Sequence, residues 1–209
     1  MSNNDSTIKQ YKKLAKSYNF RFPSYLKITT DKVAAIANIM PGDKVLDLGC
    51  GTGELLFKLA QKYPATGEFV GMDVSEEMLK RAKSKLDSFK TVSLHVGNIE
   101  KIEYPDQYFD LIVSVGVMHY IRNPKSMIKE ALRVLKHGGR FLLIDMAEES
   151  LTTKISSSLR RIADPGAVQF YSLHSISEFL SSQSFQIRSA KLFKAGIFGL
   201  YLIEAEKVK

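Results

Sequence analysis

Between Lys44 and Asp145 the chain alternates short apolar runs with segments of helical periodicity. The runs are Lys44–Leu48, Gly67–Met72, Val92–Val96, Phe109–Val115 and Arg140–Asp145. Their near-continuous apolar character predicts strands buried on both faces. Between them, Glu54–Lys62, Ser75–Leu86 and Pro124–Lys136 carry apolar residues at helical spacing. In the second, Ser75 has N-cap chemistry, and Met78, Leu79 and Ala82 form the stripe. Pro64 stops the first helix, Pro124 opens the third, and His137-Gly138-Gly139 ends it. This alternation predicts an α/β fold built on a parallel sheet with helices on both faces.

The two ends break the rhythm. Residues 6–18 place Ile8, Tyr11, Leu14 and Tyr18 at helical spacing, with Lys9, Lys12, Lys13 and Lys16 elsewhere around the wheel. An aromatic link from Phe20 to Tyr25, broken by Pro23, leads to a second helix from about Thr29 to Ile39, which stops at Pro41-Gly42. At the far end Ser175–Ser182 predicts a helix, followed by the runs Phe185–Phe193 and Ile197–Glu204. Their connection, Lys194-Ala195-Gly196, is too short for a parallel crossover and predicts an antiparallel hairpin. Residues 146–172, with a helical pattern near Leu151–Ile162 and then Asp164-Pro165-Gly166, are positioned to overhang the strand ends as a substrate lid. A single domain over 1–209 is expected, with a helical cap over 1–42 and the core over 43–209.

Composition adds mainly exclusions. The 44% hydrophobic and 25% charged fractions are those of an ordinary globule. No apolar stretch reaches the ~18 residues of a membrane span. Met-Ser-Asn-Asn-Asp-Ser-Thr at the start has no signal-peptide core, and the lone Cys50 excludes an internal disulfide and a cysteine-based metal site. A cytoplasmic location is the expectation. The net charge of +8 changes the picture once it is placed. Residues 1–40 carry seven Lys or Arg against two Asp, 41–150 fifteen against sixteen, and 151–209 eight against four. The excess therefore lies at the ends. It is either a solvated surface or a positive rim for an anionic substrate or an anionic membrane. Nucleic acid is disfavoured, since no stripe of Arg interleaved with aromatics appears.

The candidate chemistry begins where the first strand ends. Val45-Leu46-Asp47-Leu48-Gly49-Cys50-Gly51-Thr52-Gly53 is followed by Asp73, twenty-four residues after Gly49. Glycines let backbone approach a ligand closely, and the later acid can hold ribose hydroxyls, which is the plan of a nucleoside-cofactor site. A dinucleotide fingerprint would need glycine where Glu54 stands. Asp47, two residues before Gly49, would repel a pyrophosphate but suits an ammonium group. S-adenosylmethionine is favoured over NAD.

Four further signatures follow in order: Gly71-Met72-Asp73-Val74-Ser75, Phe109-Asp110-Leu111-Ile112-Val113-Ser114, Met118-His119-Tyr120-Ile121 and Leu135-Lys136-His137-Gly138-Gly139. With them the chain resembles the class I S-adenosylmethionine-dependent methyltransferases over essentially its whole length. Within that class it resembles, more loosely, the small-molecule branch (methyltransferase type 11/25-like) that includes quinone and phospholipid enzymes. The resemblance implies a Rossmann-like seven-stranded sheet of order 3-2-1-4-5-7-6 with strand 7 antiparallel. It also implies a site. Gly49, Gly51 and Gly53 would lie along the methionine part of the cofactor, Asp47 would face its amino group, and Asp73 would accept both ribose hydroxyls. Val74 and Met78 would cover the adenine face, although Met78 is equally explicable as core. Asn98, where the family usually has Asp, would accept from the adenine amino group, and Ile99 would pack on the base. Backbone at Val115 and Gly116 would face the methionine group, and Tyr11 and Tyr18 would close over it as a lid.

His119 stands where an acceptor would approach. It reads either as a substrate contact or general base, or as a histidine fixing its loop. Methyl transfer needs only in-line approach, so the chemistry does not require a base. Asp145 points toward the site by topology, and an isolated acid makes no metal site. The Asn-Pro-Pro-Tyr signature of amino-methylating nucleic-acid and protein enzymes is absent. A lid basic outside and aromatic inside, with Phe20, Phe22, Tyr25, Phe170 and Tyr171 nearby, predicts an apolar or aromatic small-molecule acceptor. S-adenosylhomocysteine would be the coproduct. Two alternatives stand beside this: a peripheral membrane lipid-headgroup methyltransferase, and a non-catalytic S-adenosylmethionine-binding module.

Overall fold

The computed structural model describes residues 10–64, 67–149 and 167–208. The expected helix near 151–162, the turn at 164–166 and the start of the N-terminal helix lie outside the described residues. Residues 10–14 are helical. They are followed by α1 (Tyr18–Arg21), α2 (Pro23–Ile36), β1 (Lys44–Leu48), α3 (Glu54–Lys62), β2 (Glu68–Asp73), α4 (Glu76–Leu86) and β3 (Val92–Val96). Then come β4 (Phe109–Val115), a 3-10 turn at Met118–Tyr120, α5 (Pro124–Val134), β5 (Leu135–Met146), α6 (Leu173–Ser182), β6 (Phe185–Ala195) and β7 (Phe198–Lys207). The seven strands form one sheet of order 3-2-1-4-5-7-6, with β7 antiparallel to both β5 and β6. That is the architecture the resemblance implied.

Alternation along β1 assigns the layers. Leu46 and Leu48 enter the core with Met127, Ile128 and Ala131 of α5 and Ile176 and Leu180 of α6. Val45 enters the opposite core with Val33 of α2, Leu56 and Leu59 of α3 and Ala82 of α4. Asp47, two residues on from Val45, therefore faces the α2 side. There it shares a cavity wall with Thr29 and Thr30. The strand that builds the core thus also carries a carboxylate to the edge of the site.

Three boundaries differ from the sequence expectation. Pro23 does not break the aromatic link but opens α2 at its first position, where a missing N–H costs nothing. The far end of α2 is capped from a distance: the Arg140 guanidinium donates to the carbonyls of Ile36 (3.1 Å), Ala37 and Asn38 (3.1 Å). The helix expected to reach Lys136 ends at Val134, because fully buried Leu135 already pairs with Phe109. Residues 136–139 then bulge before Arg140 pairs with Leu111. Finally, Ala195 pairs with Phe198, so the hairpin turn is Gly196-Ile197, one residue later than expected.

Candidate active site

The carboxyl ends of β1, β2, β3 and β4 surround a cavity that opens to solvent. Parallel strands deliver their ends to one side of the sheet, and ligands of such folds bind there. The turn after β1 is pinned to β2: Gly49 and Cys50 both donate to the Met72 carbonyl, at 2.7 and 3.0 Å. Gly49 has φ 75°, and a Cβ on it would lie 2.4 Å from Cγ2 of Val117. Only glycine lets the β1 turn and the turn after β4 come this close. The next N–H that matters, at Gly51, donates to Asp73 Oδ2 at 2.9 Å, while Ser75 donates to Oδ1 at 2.8 Å. Both carboxylate oxygens of Asp73 are thus oriented by backbone at the cavity wall.

Gly49, Gly51, Asp73, Val74, Met78, Asn98, Ile99, Val115 and Gly116 all line this cavity, and Tyr11 and Tyr18 line it from the N-terminal segment. The Asn98 amide oxygen accepts from the Glu100 backbone at 2.9 Å, so one of its lone pairs is already engaged. Asp47 lies in an adjoining cavity that shares Tyr18, Gly49, Gly51 and Val115 with the first. Gly53 is placed elsewhere. It caps α3 at φ 75°, and a Cβ there would meet Leu86 Cδ1 at 2.8 Å, so its role is close packing of the turn on α4. Phe20, expected among the aromatics near the site, is 90% exposed and outside it.

The N-terminal residues that line the cavity are held by specific contacts. The ring of Tyr11 lies 5.9 Å from Tyr18 and 5.5 Å from Tyr120, and Tyr18 lies 5.3 Å from Phe22. Asn19 ties this layer to the glycine turn, accepting from Thr52 Oγ1 at 2.7 Å and donating to Glu54, which also pairs with Lys85. Asn19, Val117 and Tyr120 were not singled out from the sequence. Tyr120 stands inside a quoted signature, but Asn19 carries no local signal.

Burial dominates the electrostatics. Asp47 is 3% exposed, and burial, followed by the charge of Asp73, pushes its pKa up to about 8. Burial also raises Asp73, opposed by the N–H groups of Ser75, Gly51 and Val74. No cationic side chain among the described residues offsets either carboxylate. A ligand bearing positive charge fits this pair, whereas a pyrophosphate does not.

His119 is buried in the 3-10 turn and does not line the cavity. Its Nδ1 lies 2.5 Å from Asp145 Oδ1, and its backbone N–H donates to Oδ2 at 3.4 Å. Its carbonyl accepts from Val168 at 2.7 Å, and its ring stacks on Phe170 with centroids 5.6 Å apart. The structure brings His119 and Asp145 together, but as a tie joining the β4 turn to β5 and to the 167–170 segment.

A family model described as a methyltransferase domain matches residues 39–188. The chain belongs to this methyltransferase-domain family. Among curated relatives, the biotin biosynthesis bifunctional protein BioHC of Teredinibacter turnerae is 31% identical over 158 residues, 72% of this chain and 28% of that protein. A demethylmenaquinone methyltransferase of Bacillus licheniformis is 31% identical over 121 residues, 58% of this chain and 52% of that enzyme. The chain thus spans about half the length of these relatives or less. Two crystal structures share the fold of this methyltransferase domain. A SAM-dependent methyltransferase from Aquifex aeolicus has TM-score 0.71 at 23% identity, covering 96% of this chain and 98% of its own. Magnesium protoporphyrin IX methyltransferase from Synechocystis with bound SAH has TM-score 0.77 at 18% identity, covering 99% and 100%.

Proposed function

We propose that this domain is an S-adenosylmethionine-dependent methyltransferase acting on a small apolar or aromatic acceptor, with S-adenosylhomocysteine as coproduct. The observation that carries the reading is one cavity that gathers the glycine turn, the oriented carboxylate of Asp73 and the aromatic lid. In it Asp73 would accept the ribose hydroxyls, Val74, Met78 and Ile99 would enclose the base, and Asn98 would meet its edge. Asp47 would face the ammonium group, with Gly49, Gly51, Val115 and Gly116 lying along the methionine chain. The cofactor supplies a methyl group activated by its sulfonium. The protein's part is to hold the acceptor in line and exclude water, which Tyr11, Tyr18 and Tyr120 at the cavity wall would do. A screen of acceptors for S-adenosylhomocysteine release tests this. Turnover with quinone-like or lipid-like phenols is expected, and turnover confined to charged hydrophilic acceptors overturns it.

Asp47 gives this reading a pH signature. A carboxyl group whose pKa is raised on folding keeps its proton in the native state while the unfolded chain loses it. Its stabilising effect is full below the ordinary carboxylate pKa of ~4 and is lost as pH rises toward about 8. Asp47→Asn should therefore raise the melting temperature of the free protein at pH 7 while weakening cofactor binding. An ammonium beside Asp47 favours the carboxylate, so binding at pH 7 should release up to about one proton. Calorimetry in buffers of different ionisation enthalpy should detect that proton in the wild type and not in Asp47→Asn.

His119 is best supported as a positioning residue rather than a base. His119→Ala should cost roughly 1–3 kcal/mol by leaving Asp145 buried without its side-chain partner. The pH–rate profile should keep its shape. Loss of one limb of that profile, with unchanged melting temperature, would instead make His119 the base.

A cytoplasmic location agrees with the single, unpaired Cys50. Among the described residues no helix is long and apolar enough to cross a membrane. Peripheral contact with an anionic surface is a second reading, favoured by the exposed cations of the N-terminal segment.

A further inference from the structure

Described segments of the two basic chain ends meet on one surface, residues 22–25 against residues 196–198. The Phe198 ring lies 6.1 Å from Phe22 and 5.7 Å from Tyr25. A Cβ on Gly196 would lie 3.7 Å from Cβ of Ser24, so the β6–β7 turn rests on the junction of α1 and α2. On either side of that contact a large apolar side chain stands in water. Phe20 is 90% exposed and Ile197 75% exposed. One exposed apolar residue needs no explanation, but Phe20 on α1 and Ile197 in the β6–β7 turn are exposed on the two elements that meet here and count together as a patch.

The surroundings of the patch are positive. Residues 10–27 contain Lys12, Lys13, Lys16, Arg21 and Lys27 and no Asp or Glu. Residues 186–198 contain Arg188, Lys191 and Lys194 and again no acid. Lys12, Lys27 and Arg188 are answered by Glu77, Asp31 and Glu206. The other five are exposed, and none forms an ion pair among the described residues. The same segment that turns Tyr11 and Tyr18 into the cavity thus turns Phe20 and three of these cations outward.

We propose that this face docks on an anionic lipid surface, with Phe20 and Ile197 entering the interface and Lys13, Lys16, Arg21 and Lys191 over the headgroups. The charge complements an anionic leaflet, and the two apolar tips match its hydrocarbon boundary. A nucleic acid offers the charge without that boundary, which is why lipid is favoured. Met146 at the carboxyl end of β5 pairs with Leu200, so the β6–β7 turn lies at the same end of the sheet as the cavity, and docking here would hold the site near the source of an apolar acceptor. What is delivered rests on the apolar-acceptor reading above, but the docking itself does not.

Sedimentation with phosphatidylcholine vesicles, with and without phosphatidylserine, tests it on the whole chain. Wild type should co-sediment with the anionic vesicles at low salt, less at high salt, and not with the neutral ones. Lys16→Glu/Arg21→Glu should weaken retention by well over ten-fold, since each cation near the surface is worth about five-fold. Phe20→Ser/Ile197→Ser should weaken it by at least about ten-fold while melting temperature and S-adenosylmethionine affinity stay unchanged. Equal retention by both vesicle types, or undiminished retention of the serine double variant, overturns the docking. No retention together with intact turnover of a soluble apolar acceptor overturns the docking alone. Vesicle binding by a protein that does not bind S-adenosylmethionine overturns the methyltransferase reading alone.

Discussion

Asp73→Ala is expected to lower S-adenosylmethionine affinity by about 10²–10⁴-fold. The two hydrogen bonds from ribose hydroxyls to a carboxylate are worth ~1.5–3 kcal/mol each, and ~1.4 kcal/mol is a factor of ten. The geometry makes the upper part of that range reasonable, because the carboxylate is already fixed. Gly51 and Ser75 donate to its two oxygens at 2.9 and 2.8 Å, so little ordering is left for the ligand to impose. Those same bonds mean that alanine also loosens the glycine turn. Asp73→Asn separates the two effects. It keeps one oxygen acceptor and nearly the same shape, so it should hold most of the melting temperature yet lose most of the affinity. Calorimetric titration and a thermal melt on both variants check this.

Gly49→Ala should be nearly as damaging, through sterics rather than chemistry. A side chain at φ 75° costs about 1–2 kcal/mol, and the methyl would lie 2.4 Å from Val117 Cγ2, which must move. Overpacking of this kind costs a further ~1–3 kcal/mol. A domain of this size loses about 2–4 °C of melting temperature per kcal/mol, so a fall of about 4–20 °C is expected. Binding should weaken as well, because Gly49 and Val117 both line the cavity and any relief of the clash distorts its wall. Val117→Ala in the Gly49→Ala background should recover part of both losses. If Val117→Ala restored nothing, the contact between the two turns would not be what excludes a side chain at Gly49.

Where the chain states its structure locally, it was legible. Val92–Val96 and Phe109–Val115 are strands over the very residues their apolar runs mark, because each run is bounded by turn residues; only the second is buried as expected, since β3 is an edge strand and leaves Val96 60% exposed. The glycine turn and Asp73 were legible for the same reason: spacing within one βαβ unit fixes their relative position. What depended on distant partners was not. Pro23 looked like an interruption because the aromatic residues around it gave no helical stripe, yet Phe22 and Tyr25 are ordered by Phe198, far along the chain. Gly138-Gly139 looked like a helix cap, but Leu135 had already joined the sheet beside Phe109.

His119 shows the same limit at the site. Its position after β4 suggested the acceptor side of the cavity. Its partner Asp145 belongs to β5, and the parallel pairing of β4 with β5 brings the two together below the surface of the site. Glu54 was informative in the sequence only as a missing glycine. In the fold it is the anchor that Asn19 and Lys85 share, which ties the N-terminal segment to the glycine turn. Local pattern carried the cofactor end of the site. The wall from the N-terminal segment is assembled from contacts that no local pattern records.

The central claim is that this cavity binds S-adenosylmethionine through Asp73, and titrating the cofactor into wild type and Asp73→Asn by calorimetry tests it directly. A one-to-one isotherm for the wild type, closely matched by S-adenosylhomocysteine, lost in Asp73→Asn and absent for NAD, is the predicted result. No heat from either adenosyl ligand, or an Asp73→Asn isotherm indistinguishable from wild type, would contradict the account.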